Sequence, residues 1–312
     1  MFVINRYTEE KQREWNVFVA KSKNGTFLFD RNYMDYHKVR FCDYSLMIYM
    51  DDKLYALFPA NEDNGTLVTH GGLTYGGLIT NIYSRADDIL ILFKELNIYL
   101  KQNNIHNVIY KAIPWIYHRI PSEEDLYALF KECSANLIKR DISSVIIPRR
   151  PLKWSRDRKY GVKKANANNI IVGQSDDFKS FWRVLTDNLQ DKYGVAPVHS
   201  LEEILLLKSR FPHNILLYTA TIDDEVLGGT VLYVTPQVIH SQYISASKMG
   251  KKLRVIDAVY DRILNYDFVD YPYFDFGKST ECGGHIFNES LIYQKEGFGG
   301  RGVCYDTYEW KL

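Results

Sequence analysis

At 312 residues the chain is long enough for two domains of ordinary size, each with its own core. A composition of 46% hydrophobic and 25% charged residues excludes a disordered chain, and a formal net charge of +1 gives no overall reason to expect nucleic acid. The N-terminus, MFVINRYTEEKQREW, lacks an apolar signal core, and no later window approaches about 18 uncharged apolar residues; both argue against secretion and membrane spanning.

The first half opens with an amphipathic helix over Thr8–Ala20, with Trp15, Phe18 and Val19 on one face. Strands Tyr44–Met50 and Lys53–Pro59 follow, joined by a tight turn at Asp51-Asp52. The segment His70–Leu78, HGGLTYGGL, carries four glycines that let backbone approach either a neighbouring strand or a ligand; His70 and Tyr75 are its polar groups. A helix over Arg85–Asn103 presents Ile89, Leu92, Phe93, Leu96, Tyr99 and Leu100 on one side, and strand Asn107–Ile113 closes the order. Pro148-Arg149-Arg150-Pro151 reads as a boundary.

The run Arg149–Lys164 holds eight Lys/Arg against one Asp, with Trp154 and Tyr160 among them. It reads either as a solvated linker helix or as a grip for a nucleotide-sugar diphosphate or tRNA backbone. The second half then repeats the element order: a helix over Asp177–Gln190, strands Ile215–Ile222 and Glu225–Val234 turning at Asp223-Asp224, strand Val238–Ala246, a helix over Lys252–Asn265, and strand Tyr271–Phe276. Such an order written twice implies a duplicated α/β unit with a mixed sheet. A loop, Lys278–Gly284, leads to a helix from Ile286 to Glu296 that stops at Gly297, with Phe298 returning to the core.

Asp275 at a strand end places a carboxylate at the carboxyl edge of the sheet, where ligands bind in α/β folds. Glu289 lies in the first turn of the following helix, and His240, Glu281 and His285 are further polar candidates. Cys42, Cys133, Cys282 and Cys304 are scattered without a C-x-x-C pair, as in a cytoplasmic protein with reduced thiols. No spacing of His or Cys suggests a metal site, and there is no P-loop or dinucleotide fingerprint.

The ending Ile292-Tyr293-Gln294-Lys295-Glu296-Gly297-Phe298 resembles the "LYEKxGF"-like ending of GNAT-type N-acyltransferases. It is also similar to the "FKxGFGG" ending of the Fem-type peptidoglycan aminoacyltransferases, which are double GNAT-like proteins; Gln294 stands where that pattern has Phe. The resemblance implies two tandem GNAT-like domains, residues 1–148 on the acceptor side and 152–312 bearing the acyl-donor site. It implies transfer of an acyl group, acetyl from acetyl-CoA, to a primary amine of a surface-polysaccharide amino sugar or nucleotide-linked sugar, with no metal. The alternative it implies is aminoacyl-tRNA-dependent transfer to a peptidoglycan precursor in cell-envelope biosynthesis, and a third reading is a binding protein that kept only the fold.

By the same resemblance Tyr293 is the acid for the departing thiolate, its ring turned toward the sheet. Asp275 with Glu289 positions or deprotonates the amine. Lys295 supports the reacting carbonyl, or else complements the helix dipole. The pyrophosphate loop [QR]-x-x-G-x-[GA] of acyl-CoA sites corresponds to Ser247-Lys248-Met249-Gly250-Lys251-Lys252, which keeps only its first glycine. The donor site so implied comprises Ser245, Ala246, Ser247, Gly250, Lys251 and Lys252, and the acceptor site His70, Tyr75, Lys164 and Tyr243.

Overall fold

The computed structural model describes residues 1–312 apart from the side chain of Tyr193, and its backbone is mixed α/β. The chain packs as two units. Met1–Ile142, Thr280–Ile286 and Cys304–Leu312 make the first, and Ser143–Ser279 with Phe287–Val303 make the second. The expected boundary at Pro148–Pro151 lies inside the second unit.

The first unit starts with a strand, β1 (Phe2–Arg6), and two helices, α1 (Gln12–Lys21) and the short α2 (Arg31–Met34). β2 (Leu46–Met50) pairs antiparallel with β1 and with β3 (Lys53–Phe58). Asp51 and Asp52 between them have φ of +49° and +58°, which matches the right-handed twist of a two-residue hairpin. β4 (Asn61–Asp63), β5 (Thr66–Val68) and β6 (Ile79–Thr80) follow, then α3 (Ala86–Gln102) and β7 (Asn107–Lys111). The α3 stripe Ile89, Leu92, Phe93, Leu96 and Leu100 is buried against Leu46, Ile48, Ala56 and Phe58. A helix that the hydrophobic pattern did not reveal, α4 (Glu124–Glu132), packs on α3. β8 (Asn136–Ile146) passes from the first unit into the second.

The glycine-rich segment His70–Leu78 is a loop, and its glycines serve packing. A Cβ on Gly76 would overlap the carbonyl of Thr69, and Gly77, at φ +91°, would drive one to 2.6 Å from Tyr110 Oη. The segment therefore folds onto its own unit's strands.

In the second unit the basic run forms α5 (Arg156–Ala167), capped by Ser155, whose Oγ accepts from Arg158 N. β9 (Ile171–Ser175), α6 (Phe178–Tyr193) and α7 (Leu201–Arg210) follow; α7 begins in a capping box between Ser200 and Glu203. β10 (Ile215–Ile222), β11 (Glu225–Val234) and β12 (Val238–Ala246) occupy the residues expected from the pattern. They pair antiparallel, with β9 on the far side of β10. Two helices replace the single one expected over Lys252–Asn265: α8 (Lys248–Leu253) and α9 (Val255–Arg262). Ser247 caps the first early, and Arg254, at φ +64°, breaks the run. Its guanidinium is pulled across to Asp257 (2.5 Å) and Asp157 (2.8 Å).

β13 (Tyr273–Lys278) pairs parallel with β12 and antiparallel with Ser143–Ile146 of β8. The short strands β14 (Thr280–Glu281) and β15 (Ile286–Phe287) precede α10 (Glu289–Gly297), and β16 (Arg301–Lys311) closes the chain. The helix expected from Ile286 thus starts three residues later, where the side chain of Asn288 caps it by accepting from Leu291 N at 3.1 Å. Its left-handed stop is Gly299, at φ +95°, rather than Gly297, which stays helical. Phe298 does return to the core, 1% exposed, stacked on Phe276 with ring centres 5.7 Å apart and edge-on to Tyr260 at 5.0 Å. Each such aromatic pair adds about 0.5–1.5 kcal/mol beyond its buried area.

Candidate active site in the second unit

Phe274 and Phe276 sink into the core packed by α9, so the alternation of β13 turns Asp275 to the other face of the sheet. The parallel register with β12 ends at His240↔Asp275, after which β12 runs on to Ala246 without β13. Side chains facing each other at this last rung meet: His240 Nδ1 lies 2.8 Å from Asp275 Oδ2. Asp275 Oδ1 accepts from Gly277 N at 2.9 Å and from Ser143 Oγ. The carboxylate is fully buried, while the His240 side chain keeps 15% of its surface. A bulge at Gln242 follows, where Val231 faces Tyr243 and Leu232 faces Ser241. It lets Ser241 reach Tyr260 while Tyr243 meets Trp182 of α6.

Lys295 reaches the same strand end from α10. Its Nζ donates to Gly277 O at 2.7 Å, Lys278 O at 2.8 Å and Ser279 Oγ at 2.8 Å. Burial pushes its pKa down to about 8, and the nearby charge of Asp275 works in the opposite direction. Gly277 links the pair: its amide binds the carboxylate and its carbonyl binds the ammonium.

Of the four expected catalytic residues, the structure thus brings Asp275 and Lys295 together. Glu289 is exposed at the first helical position, and Tyr293 is 71% exposed. The expectation that the Tyr293 ring turns to the sheet is corrected. α10 buries Ile292 and Lys295, and a residue two positions before Lys295 lies about 200° away around the axis. Tyr293 instead lines a cavity of about 320 Å³ with Gly250, Lys251, Arg254 and Ser290.

The expected donor loop is spread over several roles. Ser245 and Ala246 are buried in β12, Ser245 Oγ donating to Val184 O at 3.3 Å. Ser247 Oγ accepts from Gly250 N at 3.0 Å, and its own amide goes to Leu227 O at 2.8 Å. Gly250 has no room for a Cβ, which would strike the Leu227 carbonyl. Lys251 hydrogen-bonds Asn188, and Lys252 is exposed. Ala246, Ser247 and Lys251 border a cavity of about 870 Å³ whose charged lining mixes Arg183, Lys192 and Lys248 with Asp187, Asp191 and Glu225.

Of the expected acceptor residues, His70 and Tyr75 are buried in the first unit. Burial and nearby cations push the His70 pKa down to about 3, and the Tyr75 hydroxyl lies 3.2 Å from Thr26 Oγ1. Tyr243 is buried in the second unit, its hydroxyl against His199 Nδ1, and half-buried Lys164 sits in α5. Sequence reasoning did not reach Ser143 or His199. The pairing of His240 with Asp275 needed a strand register that no local pattern encodes. Among the described residues no group of His, Cys, Asp and Glu is arranged to hold a metal, and no helix is long and apolar enough to cross a membrane.

No protein-family profile matches the chain, and no curated protein does either. Solved structures do. FemX superposes with a TM-score of 0.69 at 10% identity, over 99% of this chain and 97% of that one. L-PGS from Bacillus licheniformis gives 0.63 at 12% identity over 96% and 91%. A tandem GNAT protein from the clavulanic acid biosynthesis pathway gives 0.52 at 9% identity over 100% and 98%. At such identities the likeness speaks for the fold: the chain has the mixed α/β, double-domain GNAT-like fold of Fem-type proteins along its whole length.

Proposed function

We propose that the chain is an acyltransferase that moves an aminoacyl group from an aminoacyl-tRNA to an amine, on a peptidoglycan precursor by the Fem-type resemblance. The observation that carries this reading is the start of α8. An acyl-CoA site must offer open backbone amides to a pyrophosphate. Here the Gly250 amide is taken by Ser247 Oγ and the Ser247 amide by Leu227 O. The charges beside this turn, Arg183, Lys192, Lys248 and Lys251 against Asp187, Asp191 and Glu225, are mixed and do not form a cluster of cations alone. Helix α5, exposing Arg156, Lys159 and Lys163 beside Tyr160, supports an RNA partner instead, because backbone phosphates are held by such cations. The likeness to FemX and L-PGS supports the same side.

A second reading, acetyl transfer from acetyl-CoA to an amino sugar, is favoured by one observation: Tyr293 opens on the same cavity as Gly250 and Lys251. Calorimetry with acetyl-CoA and with total aminoacyl-tRNA, followed by transfer of a labelled amino acid to an amine, separates the readings. Binding of tRNA without CoA is expected. Binding of CoA alone favours the second reading, and binding of neither leaves a non-catalytic protein with this fold.

A further inference from the structure

We infer that His240, oriented by Asp275, is the base that takes the proton of the attacking amine. The chemistry rests on the transfer reaction proposed above; the residues rest on the geometry of the second unit. Asp275 cannot meet a substrate itself. It is fully buried, with Oδ1 engaged by Ser143 and Gly277 and Oδ2 by His240. His240 is the member of the pair that retains exposed surface. With Nδ1–H donated to the carboxylate, the lone pair of the imidazole sits on Nε2. The ring edge carrying Cε1 and Nε2 faces Gly277, where a Cβ would lie 3.3 Å from Cε1 and 3.9 Å from Nε2, so any side chain at this position would press on that edge. The ladder between β12 and β13 ends at this rung, so the ring stands at the last paired position of the two strands.

The step balances within the reacting groups. The amine nitrogen forms its C–N bond to the ester carbonyl and loses one proton to His240 Nε2. The same proton passes to the ribose oxygen as the ester C–O bond breaks, and Asp275 stays ionised, stabilising the imidazolium between the two events. Asp275 is then a positioning residue. Lys295, held by three acceptors at the strand end, keeps a compensating charge near the buried carboxylate.

Two measurements test the inference, and the first needs no substrate. Diethyl pyrocarbonate acylates an imidazole nitrogen that carries a lone pair, and peptide mass spectrometry locates the product. In the folded protein His240 is expected to react, and to react at least threefold more slowly in Asp275→Asn. Exposed His213 and His285 serve as internal references. An unmodified His240 beside modified references, or an equal rate in Asp275→Asn, overturns the inference. The second measurement is single-turnover transfer by His240→Ala. A loss of about 100-fold or more is expected of a removed general base, with donor binding unchanged and partial rescue by free imidazole. A rate within threefold of wild type overturns the inference. If wild-type protein transfers from no donor, the functional reading fails on its own account, and the acylation experiment alone decides the role of His240.

Discussion

Lys295 Nζ lies 2.7 Å from the carbonyl oxygen of Gly277, a residue at φ +78° two places beyond Asp275. The left-handed turn swings that carbonyl toward α10, so the helix and the strand end are joined through a buried cation.

This junction carries a pH signature. Folding lowers the Lys295 pKa from 10.5 to about 8. Between these values the unfolded chain binds more protons, so stability rises as pH rises through the window. The full gain is about 3 kcal/mol at 1.36 kcal/mol per unit. Denaturant unfolding from pH 8 to 10.5 is expected to show this rise in wild type and to lose it in Lys295→Met; parallel curves for the two proteins would contradict it.

Two histidines, buried His70 and half-buried His118, set the opposite limb. Burial pushes His70 down to about 3 and His118 down to about 4, so both fold neutral. Their stabilising contribution is complete above the unfolded pKa near 6.5 and is lost as pH falls toward the folded values. Each should cost about 2 kcal/mol between neutral pH and pH 5. His70→Asn, which tolerates the φ of +59° at that position, and His118→Gln should each flatten the acid limb by about that amount in urea titrations.

Tyr293→Phe should leave stability within about 0.5 kcal/mol of wild type, because the hydroxyl sits on an exposed ring. Transfer from aminoacyl-tRNA should stay within about threefold, since the proton returned to the leaving group travels by His240. A loss of about tenfold in an acetyl-CoA-dependent reaction would instead identify the phenol as the acid for a thiolate.

Gly76→Ala should destabilise the first unit by about 2–4 kcal/mol, as a Cβ cannot coexist with the Thr69 carbonyl and the Gly76 amide is bound to Lys111 O at 2.7 Å. Thermal unfolding checks this. A neutral result would mean that the loop yields and that packing does not require a glycine at this position.

Much of the scaffold was legible because local chemistry and fold agree. The acidic pairs Asp51-Asp52 and Asp223-Asp224 adopt positive φ at both positions, and the α3 stripe is buried as its period requires. α7 carried a readable start, Ser200 three residues before Glu203, but its Leu-rich run has no clear polar face. β8 and β16 lack strict alternation, and their pairing comes from distant chain. In the site, the ending of α10 pointed to Lys295, and the 100° step per residue already set Tyr293 on another side. His240 and Asp275 are 35 residues apart, and only the parallel register makes them partners.

The last strand has a consequence for how the molecule is made. Thr307–Lys311 pairs antiparallel with β7, and Asn107 Nδ2 donates to Glu309 across 202 residues of sequence. While the ribosome is still adding the second unit, β7 has β5 on one side and a bare ladder on the other. The first unit, though synthesised first, is completed only when residues 304–312 emerge. Until then its open ladder is available to any passing strand, and the nascent chain depends on speed or on a chaperone to keep it single.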